Sequence, residues 1–389
     1  MKQKANIFII KGIMTEFSDS TGLSTVEKSP RRYLWTDAFA VCNFLELYQR
    51  TGDESWQNLA LRLVDQVHYI LGRHREDDPR SGWISGYTEE QGKKHPTIGG
   101  LRIGKQMNER KPDDPYDDHL EWDRDGQYYH YLTKWMHALN RVSRATGNST
   151  FNLWAIELAK SAHAGFVHTL NSGSKRLYWK MSIDLSYPLV SSMGHHDPLD
   201  GLITYNQIQA TAVELFNASG LDLDSEIADI EILCKGKNWA TNDPLGLGSL
   251  LCHAHTILQL IVQDRFAETG LLKNLLESSL ASLDAYMLDR FLSFSAEYRL
   301  PFRELGMAIG LHAVERIEGL MEEKPDVFGK NHPVYSQIKH LMSFVRLGEA
   351  IEKFWLEPQN RIAKTWTEHQ DINSVMLATS LAPDAYLKL

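Results

Sequence analysis

Carboxylates, histidines and aromatic rings crowd into six short stretches of this 389-residue chain, each ahead of a segment with helical spacing. They are residues 33–37 (Tyr-Leu-Trp-Thr-Asp), 121–125 (Glu-Trp-Asp-Arg-Asp), 195–200 (His-His-Asp-Pro-Leu-Asp), 242–243 (Asn-Asp), 298–304 and 366–371. Paired carboxyl groups can cleave a glycosidic bond. One protonates the leaving oxygen, and the other attacks or activates water. Asp123 is the first candidate for the acid, because Trp122 beside it could exclude water and raise its pKa. Asp197 and Glu304 compete for the second role. An inverting reaction would set such a pair roughly 6.5–9.5 Å apart. The same residues, placed before helices, also suit plain N-capping.

Other side chains could bind a substrate. His195 and His196 can contact hydroxyls or a carboxylate, or move protons near neutral pH. His253 and His255 are two apart on a helical segment and cannot share a face, so they make a poor metal pair, although His253 alone can serve a site. Arg303 can fork onto a carboxylate or phosphate, or form a local ion pair. Asp37 opens the first of the six segments. Trp35, Trp122, Tyr128 and Trp366 are candidate stacking platforms for a sugar, or packing residues. Two motifs are set aside. Residues 113–118 (Asp-Asp-Pro-Tyr-Asp-Asp) match the aspartate-rich motif of prenyl-diphosphate enzymes, but Pro115 disfavours the helix that motif needs. Residues 121–126 match half a calcium loop, yet its twelfth position is Leu132 where a bidentate Glu is required. No metal and no cofactor is therefore assigned.

The elements that must position these residues announce themselves by a repeat. Thr51-Gly52-Asp53, with Trp56, Ala60, Leu63 and His68, recurs at the same offsets as Thr146-Gly147-Asn148, with Phe151, Ala155, Leu158 and His163. Each copy closes one helical segment and opens another, with Gly as the stop and Asp or Asn as the next N-cap. Helical spacing extends this to eleven or twelve helices. They include segments at 126–146, 148–170, 202–218, 224–234, 247–269, 271–289, 302–320 and 333–354, and a last one at 372–381 without a clear partner. Residues 1–30 show no helical period and read as an irregular lead-in. Residues 31–389 read as one domain. Long connections at 76–124 and 171–200 hold aromatic residues and are expected to be ordered, with a short hairpin strand near 175–184.

Bulk composition narrows the function classes. A hydrophobic share of 43% supports a large core, and a net charge of −9 without a dense basic run argues against a nucleic-acid partner. The three separate cysteines suggest no disulfide framework. No signal-peptide core and no apolar stretch of membrane-spanning length stands out, so no membrane association and a cytoplasmic location are expected.

The hairpin phrase, the number of helices and the aromatic-acidic loops together resemble the six-hairpin glycosidase superfamily. That superfamily includes unsaturated glucuronyl hydrolases and N-acylglucosamine 2-epimerases. The resemblance covers residues 31–389 and implies an all-α (α/α)6 toroid of six helical hairpins, with the site at the ends where loops lead into the inner helices. It implies a carbohydrate substrate and, first, a glycoside hydrolase. A sugar 2-epimerase using a histidine pair and a non-catalytic helical scaffold are the alternatives. Oligomeric state and sugar identity stay open.

Overall fold

A computed structural model describes residues 2–24, 29–216, 222–325, 327 and 333–389. Its helices are, in chain order, α1 (Lys2–Ser20), α2 (Leu34–Thr51), α3 (Glu54–Leu71), α4 (Glu89–Lys94), α5 (Asp118–Asp123), α6 (Tyr129–Thr146), α7 (Ser149–Phe166), α8 (Asp197–Phe216) and α9 (Asp224–Cys234). There follow α10 (Pro244–Val262), α11 (Thr269–Leu288), α12 (Pro301–Glu323), α13 (Pro333–Met342), α14 (Val345–Leu356), α15 (Lys364–Thr367), α16 (Gln370–Leu381) and α17 (Asp384–Leu387). Five short strands are β1 (Gln127–Tyr128), β2 (Val167–Thr169), β3 (Lys175–Leu177), β4 (Lys180–Met181) and β5 (Pro188–Val190). Contacts divide the chain into two compact units, Ser18–Lys235 and Met1–Phe17 with Gly236–Leu389.

In the Ser18–Lys235 unit the repeated phrase is the hinge of two hairpins, α2/α3 and α6/α7. Gly52 and Gly147 both take left-handed φ, 68° and 69°, which a side chain would resist. The Thr51 hydroxyl donates to Leu47 O at 2.7 Å, and the Thr146 hydroxyl to Val142 O at 2.8 Å. Asp53 accepts from Ser55 N, and Asn148 from Thr150 N, both at 3.0 Å. Ala60, Leu63, Ala155 and Leu158 are buried. A third hairpin, α8/α9, completes this unit, and α2, α6 and α8 pack side by side in that order. Helix α8 begins at Asp197, five residues earlier than its apolar spacing suggests. Pro198 in the first turn loses no hydrogen bond there, so the helix can start at the acidic segment. Its expected end at 217–218 lies outside the described residues.

The strand expectation near 175–184 resolves into two pieces. β3 pairs antiparallel with β2, while β4 lies between β1 and β5 in a three-stranded sheet. The register sets Tyr128 opposite Lys180.

In the other unit α10 pairs with α11, and α12 packs against α10, α14 and α16. Helices α10 and α12 meet through glycines. A Cβ on Gly248 would lie 2.1 Å from Gly306 O, and one on Gly310 would lie 2.5 Å from Gly248 O. By length and composition α10 could cross a membrane, contrary to the sequence expectation that no stretch would qualify. Yet 67% of its apolar window is buried inside the protein, as in a core helix. The expected single helix at 333–354 breaks into α13 and α14, with a turn at Ser343 and Phe344.

The lead-in expectation is corrected most sharply. Residues 2–20 form α1, whose Ile10, Met14 and Phe17 are buried at spacings of four and three. Asn6 Nδ2 donates to Leu381 O at 3.1 Å, and Gln370 Nε2 donates to Glu16 Oε1 at 3.2 Å. Helix α1 thus runs antiparallel to α16 and is the partner that α16 lacked.

An acid–base knot ties α12, α14 and α16. His312 bonds Glu315 at 3.0 Å and Glu352 at 2.7 Å, and the Ser380 hydroxyl donates to Glu352 at 2.6 Å. Burial lowers the imidazole pKa, but the two carboxylates outweigh it and hold His312 up at about 9. A pKa raised above the unfolded value of about 6.5 contributes stability that is complete below that pH and is lost as pH rises through 9. Denaturant unfolding at pH 7 and pH 10 should therefore show a loss on the order of 3 kcal/mol in the native protein. The loss should be absent in His312→Gln. Gly248→Ala should cost about 1–3 kcal/mol at pH 7 by forcing α10 off α12.

Candidate functional site

The polar side chains of the Ser18–Lys235 unit follow one seam. His130, Lys134, His137, Arg141 and Arg144 recur on α6 at spacings of four and three, so they share one face. Helix α8 answers them rung by rung. His130 Nδ1 lies 3.6 Å from Asp197 Oδ1, and Lys134 Nζ lies 3.2 Å from Asp200 Oδ1. His137 Nδ1 meets Gln207 Oε1 at 3.0 Å, and Arg144 donates to Thr211 at 2.9 Å and Glu214 at 2.8 Å. Toward α2, Arg141 is drawn down to about 10, chiefly by burial, with Cys42 and Glu46 close enough to act on it.

At the upper end of this seam the chain builds an aromatic cluster. The His130 ring lies 5.3 Å from Tyr128, 4.8 Å from Tyr131 and 6.3 Å from Trp179. The hydroxyls of Tyr33 and Tyr131 are hydrogen-bonded at 2.7 Å. Burial pushes the Tyr33 and Tyr128 phenols up and the His130 imidazole down to about 4. Twenty-six per cent of the His130 side chain is still open to water, while its Nδ1 is buried. The Lys105 ammonium lies 5.5 Å over the Tyr33 ring and is lowered by burial, with Asp123 and Asp125 pulling it back.

Buried charges hold the loop beside this cluster. Asp125 accepts from Arg102 Nη1 at 2.5 Å and from the backbone of Gly104 and Gly126 at 3.0 and 3.1 Å. The Lys180 ammonium, wholly buried, donates to Glu121 O at 2.6 Å and Arg124 O at 2.9 Å, and lies 3.2 Å from Glu121 Oε2. Arg110 takes the other oxygen of Glu121 at 2.7 Å.

Of the residues singled out by sequence, this unit holds Trp35, Asp37, Trp122, Asp123, Tyr128, His195, His196 and Asp197. Trp122, 55% exposed, meets Trp179 edge-on at 5.3 Å. Asp123 is exposed, not sheltered by Trp122, so the sequence argument for its desolvation fails. Tyr128 and Asp197 are buried in the cluster, while His195 is exposed and its ring lies 4.7 Å from that of His196. Trp35 is buried against Phe39 at 4.6 Å, as a core residue of α2.

Asp37 and, in the other unit, Glu304 share one device. Each sits in the first turn of a helix, five residues after a buried arginine. Asp37 lies 3.4 Å from Arg32 and accepts from Tyr33 N at 2.9 Å. Glu304 takes Arg299 in a fork with a shortest contact of 2.6 Å, and Trp355 Nε1 at 2.9 Å. Trp366, 4% exposed, lies nearly parallel to Trp355 at 5.7 Å. Arg303 donates to Asp243 at 2.7 Å, and His253 is buried within α10. Sequence reasoning missed His130, Tyr131, Lys134, Trp179 and Lys180. The signal for the first and third was the polar stripe on α6, where an ordinary helix buries apolar residues. Among the described residues no group of three or more His, Cys, Asp and Glu side chains is placed to hold a metal ion.

Glu304→Ala should leave the Arg299 guanidinium buried without a counter-charge and cost about 3–5 kcal/mol. Thermal and denaturant unfolding would check this. A change below 1 kcal/mol would show that the pair does not stabilise the unit.

No family model and no curated protein sequence matches the chain. Solved structures do. A GH76 alpha-mannanase of Bacteroides thetaiotaomicron aligns over 97% of this chain and 95% of its own, with TM-score 0.56 and 10% identity. A GH76A alpha-1,6-mannanase of Salegentibacter sp. aligns over 97% and 99%, with TM-score 0.54 and 11% identity. A sugar epimerase from a ruminal bacterium aligns over 97% and 99%, with TM-score 0.53 and 9% identity. At such identities the likeness shows the fold. The chain has the mostly helical (α/α)6 toroid fold, which its hairpin repeat and helix count led us to expect.

Proposed function

We propose that the chain is a carbohydrate-active enzyme, and first a glycoside hydrolase acting on mannosides. The observation that carries this reading is the cluster in the Ser18–Lys235 unit. There Trp122, Trp179, Tyr128 and His130 form one set of touching rings, with Asp123 beside Trp122 in sequence and Asp197 3.6 Å from His130. Aromatic faces take up the apolar C–H face of a sugar, and two carboxylates supply acid and base. Glu304 is the weaker candidate, because Arg299 and Trp355 occupy its oxygens. Asp123, open to water, suits activation of the attacking water. Asp197, sheltered beside an imidazole, suits delivery of a proton to the leaving oxygen. The mannoside preference is supported by the two mannanases among the structural neighbours.

One observation favours a second reading, sugar 2-epimerisation. His130, held down to about 4 chiefly by burial, is neutral at physiological pH and stands next to a carboxylate that can orient it. A neutral imidazole can withdraw the proton from the carbon next to a sugar aldehyde. An epimerase is also among the structural neighbours.

Turnover of an aryl α-mannoside and of α-1,6-linked mannobiose separates the two. For the hydrolase, Asp123→Asn and Asp197→Asn should each lower kcat by about 10²–10⁴-fold. Full activity in either variant would remove that residue from the mechanism. If no glycoside is cleaved while deuterium from solvent enters C2 of a reducing sugar, and His130→Gln abolishes that exchange, the second reading replaces the first.

A further inference from the structure

We infer that the site has an outer carbohydrate subsite built on Trp122, and that its substrate is an oligosaccharide chain longer than two sugars. This rests on the carbohydrate reading and narrows its substrate class.

Three observations converge. The first is a continuous row of rings. Tyr33 lies 5.6 Å from Tyr131, Tyr131 5.2 Å from Tyr128, Tyr128 5.1 Å from Trp179, and Trp179 5.3 Å from Trp122. The row leads outward, and its accessible outer rings, Trp179 and Trp122, offer successive platforms to a chain of sugars. The second is the exposure of its outer end, from the buried Tyr128 through the half-buried Trp179 to Trp122. Tyr128, beside His130, is 3% exposed, whereas Trp122 at the far end is 55% exposed. An apolar ring of that size left open to water has contact area to offer a ligand.

The third observation separates Trp122 from an incidental surface residue. Its backbone is clamped. The buried Lys180 ammonium binds the carbonyls of Glu121 and Arg124, the residues on either side of the Trp122–Asp123 pair. The Glu121 side chain is itself held by Lys180 and Arg110. A buried charge is costly unless its acceptors are fixed around it. The chain spends one to hold a two-residue segment whose side chains face solvent. Trp122 and Trp179 then meet at 72°, two walls of a corner. A sugar can lay its apolar face on one wall and its edge on the other. With Asp123 next to Trp122 in sequence and Asp197 3.6 Å from His130, the reacting sugar lies toward His130 and the rest of the chain passes over Trp122.

Calorimetric titration with mannobiose and mannotetraose, α-1,6-linked, tests the inference, with cellobiose and cellotetraose as the series of opposite anomeric geometry. In one series the native protein should bind the tetrasaccharide about three- to tenfold more tightly than the disaccharide. In Trp122→Ala that ratio should fall to near one, and Trp122→Phe should restore part of it. Since Trp122 is exposed, both variants should keep the native unfolding temperature, which is measured alongside. Equal affinities for short and long sugars in both series, or an unchanged ratio in Trp122→Ala, overturn the inference. Turnover is read separately. Length-dependent binding without cleavage removes the hydrolase reading and leaves the subsite, whereas cleavage with length-independent binding does the reverse.

Discussion

One buried carboxylate sets the path of the chain around the candidate site. Asp125 has no exposure to water, so it must find its partners inside the protein. It takes a guanidinium from Arg102 and backbone amides from Gly104 and Gly126, and Arg75 approaches at 3.5 Å. Arg102 and Gly104 come from the long connection that precedes it. That connection is a polar scaffold folded around one charge, and the segment carrying Trp122 and Asp123 is anchored at its edge. Lys180 repeats the logic from the strand side. The loops that bear the site are therefore ordered by electrostatics in a low-dielectric interior, while the helices beneath are ordered by apolar packing.

The same division appears between the helices. Most contacts in an all-helical fold are ridges of apolar side chains. The α6–α8 seam departs from this, with His, Lys and Arg on one helix and Asp, Gln, Thr and Glu on the other. Lys134 and Arg144 each have an acceptor on α8 within reach, which helps such a seam to be tolerated. It also fixes the relative height of the two helices. A slip of one turn would misalign every rung, and with it the Asp197–His130 pair at the top.

These two kinds of order explain what the sequence revealed. The Thr-Gly-Asp/Asn hinges were legible because turn chemistry is local, from the left-handed glycine to the N-cap oxygen. Helices with apolar stripes were legible for the same reason. The site was legible only as segments. Trp122, Tyr128 and Asp197 could be named, but the fate of a carboxylate depends on partners that spacing does not show. Glu304 and Asp37 look like Asp123 in a string of letters. An arginine five residues upstream turns each into a structural clamp, a pattern with a physical reason that stood out only once seen twice. His130 was hidden because one helical histidine says little alone, and only the polar stripe it shares on α6 marks it. Helix α1 was hidden because its buried apolar residues Ile10, Met14 and Phe17 lie in an otherwise mixed segment.

Helix α1 has a consequence for how the protein comes to be. Its partner α16 follows some 354 residues later in sequence, so the unit they share cannot be completed until α16 has been made. The Ser18–Lys235 unit, by contrast, is a continuous stretch and can assemble while synthesis proceeds. During that interval α1 waits with Ile10, Met14 and Phe17 uncovered. The nascent chain thus carries an adhesive strip on α1, which is retired only when α16 has been made.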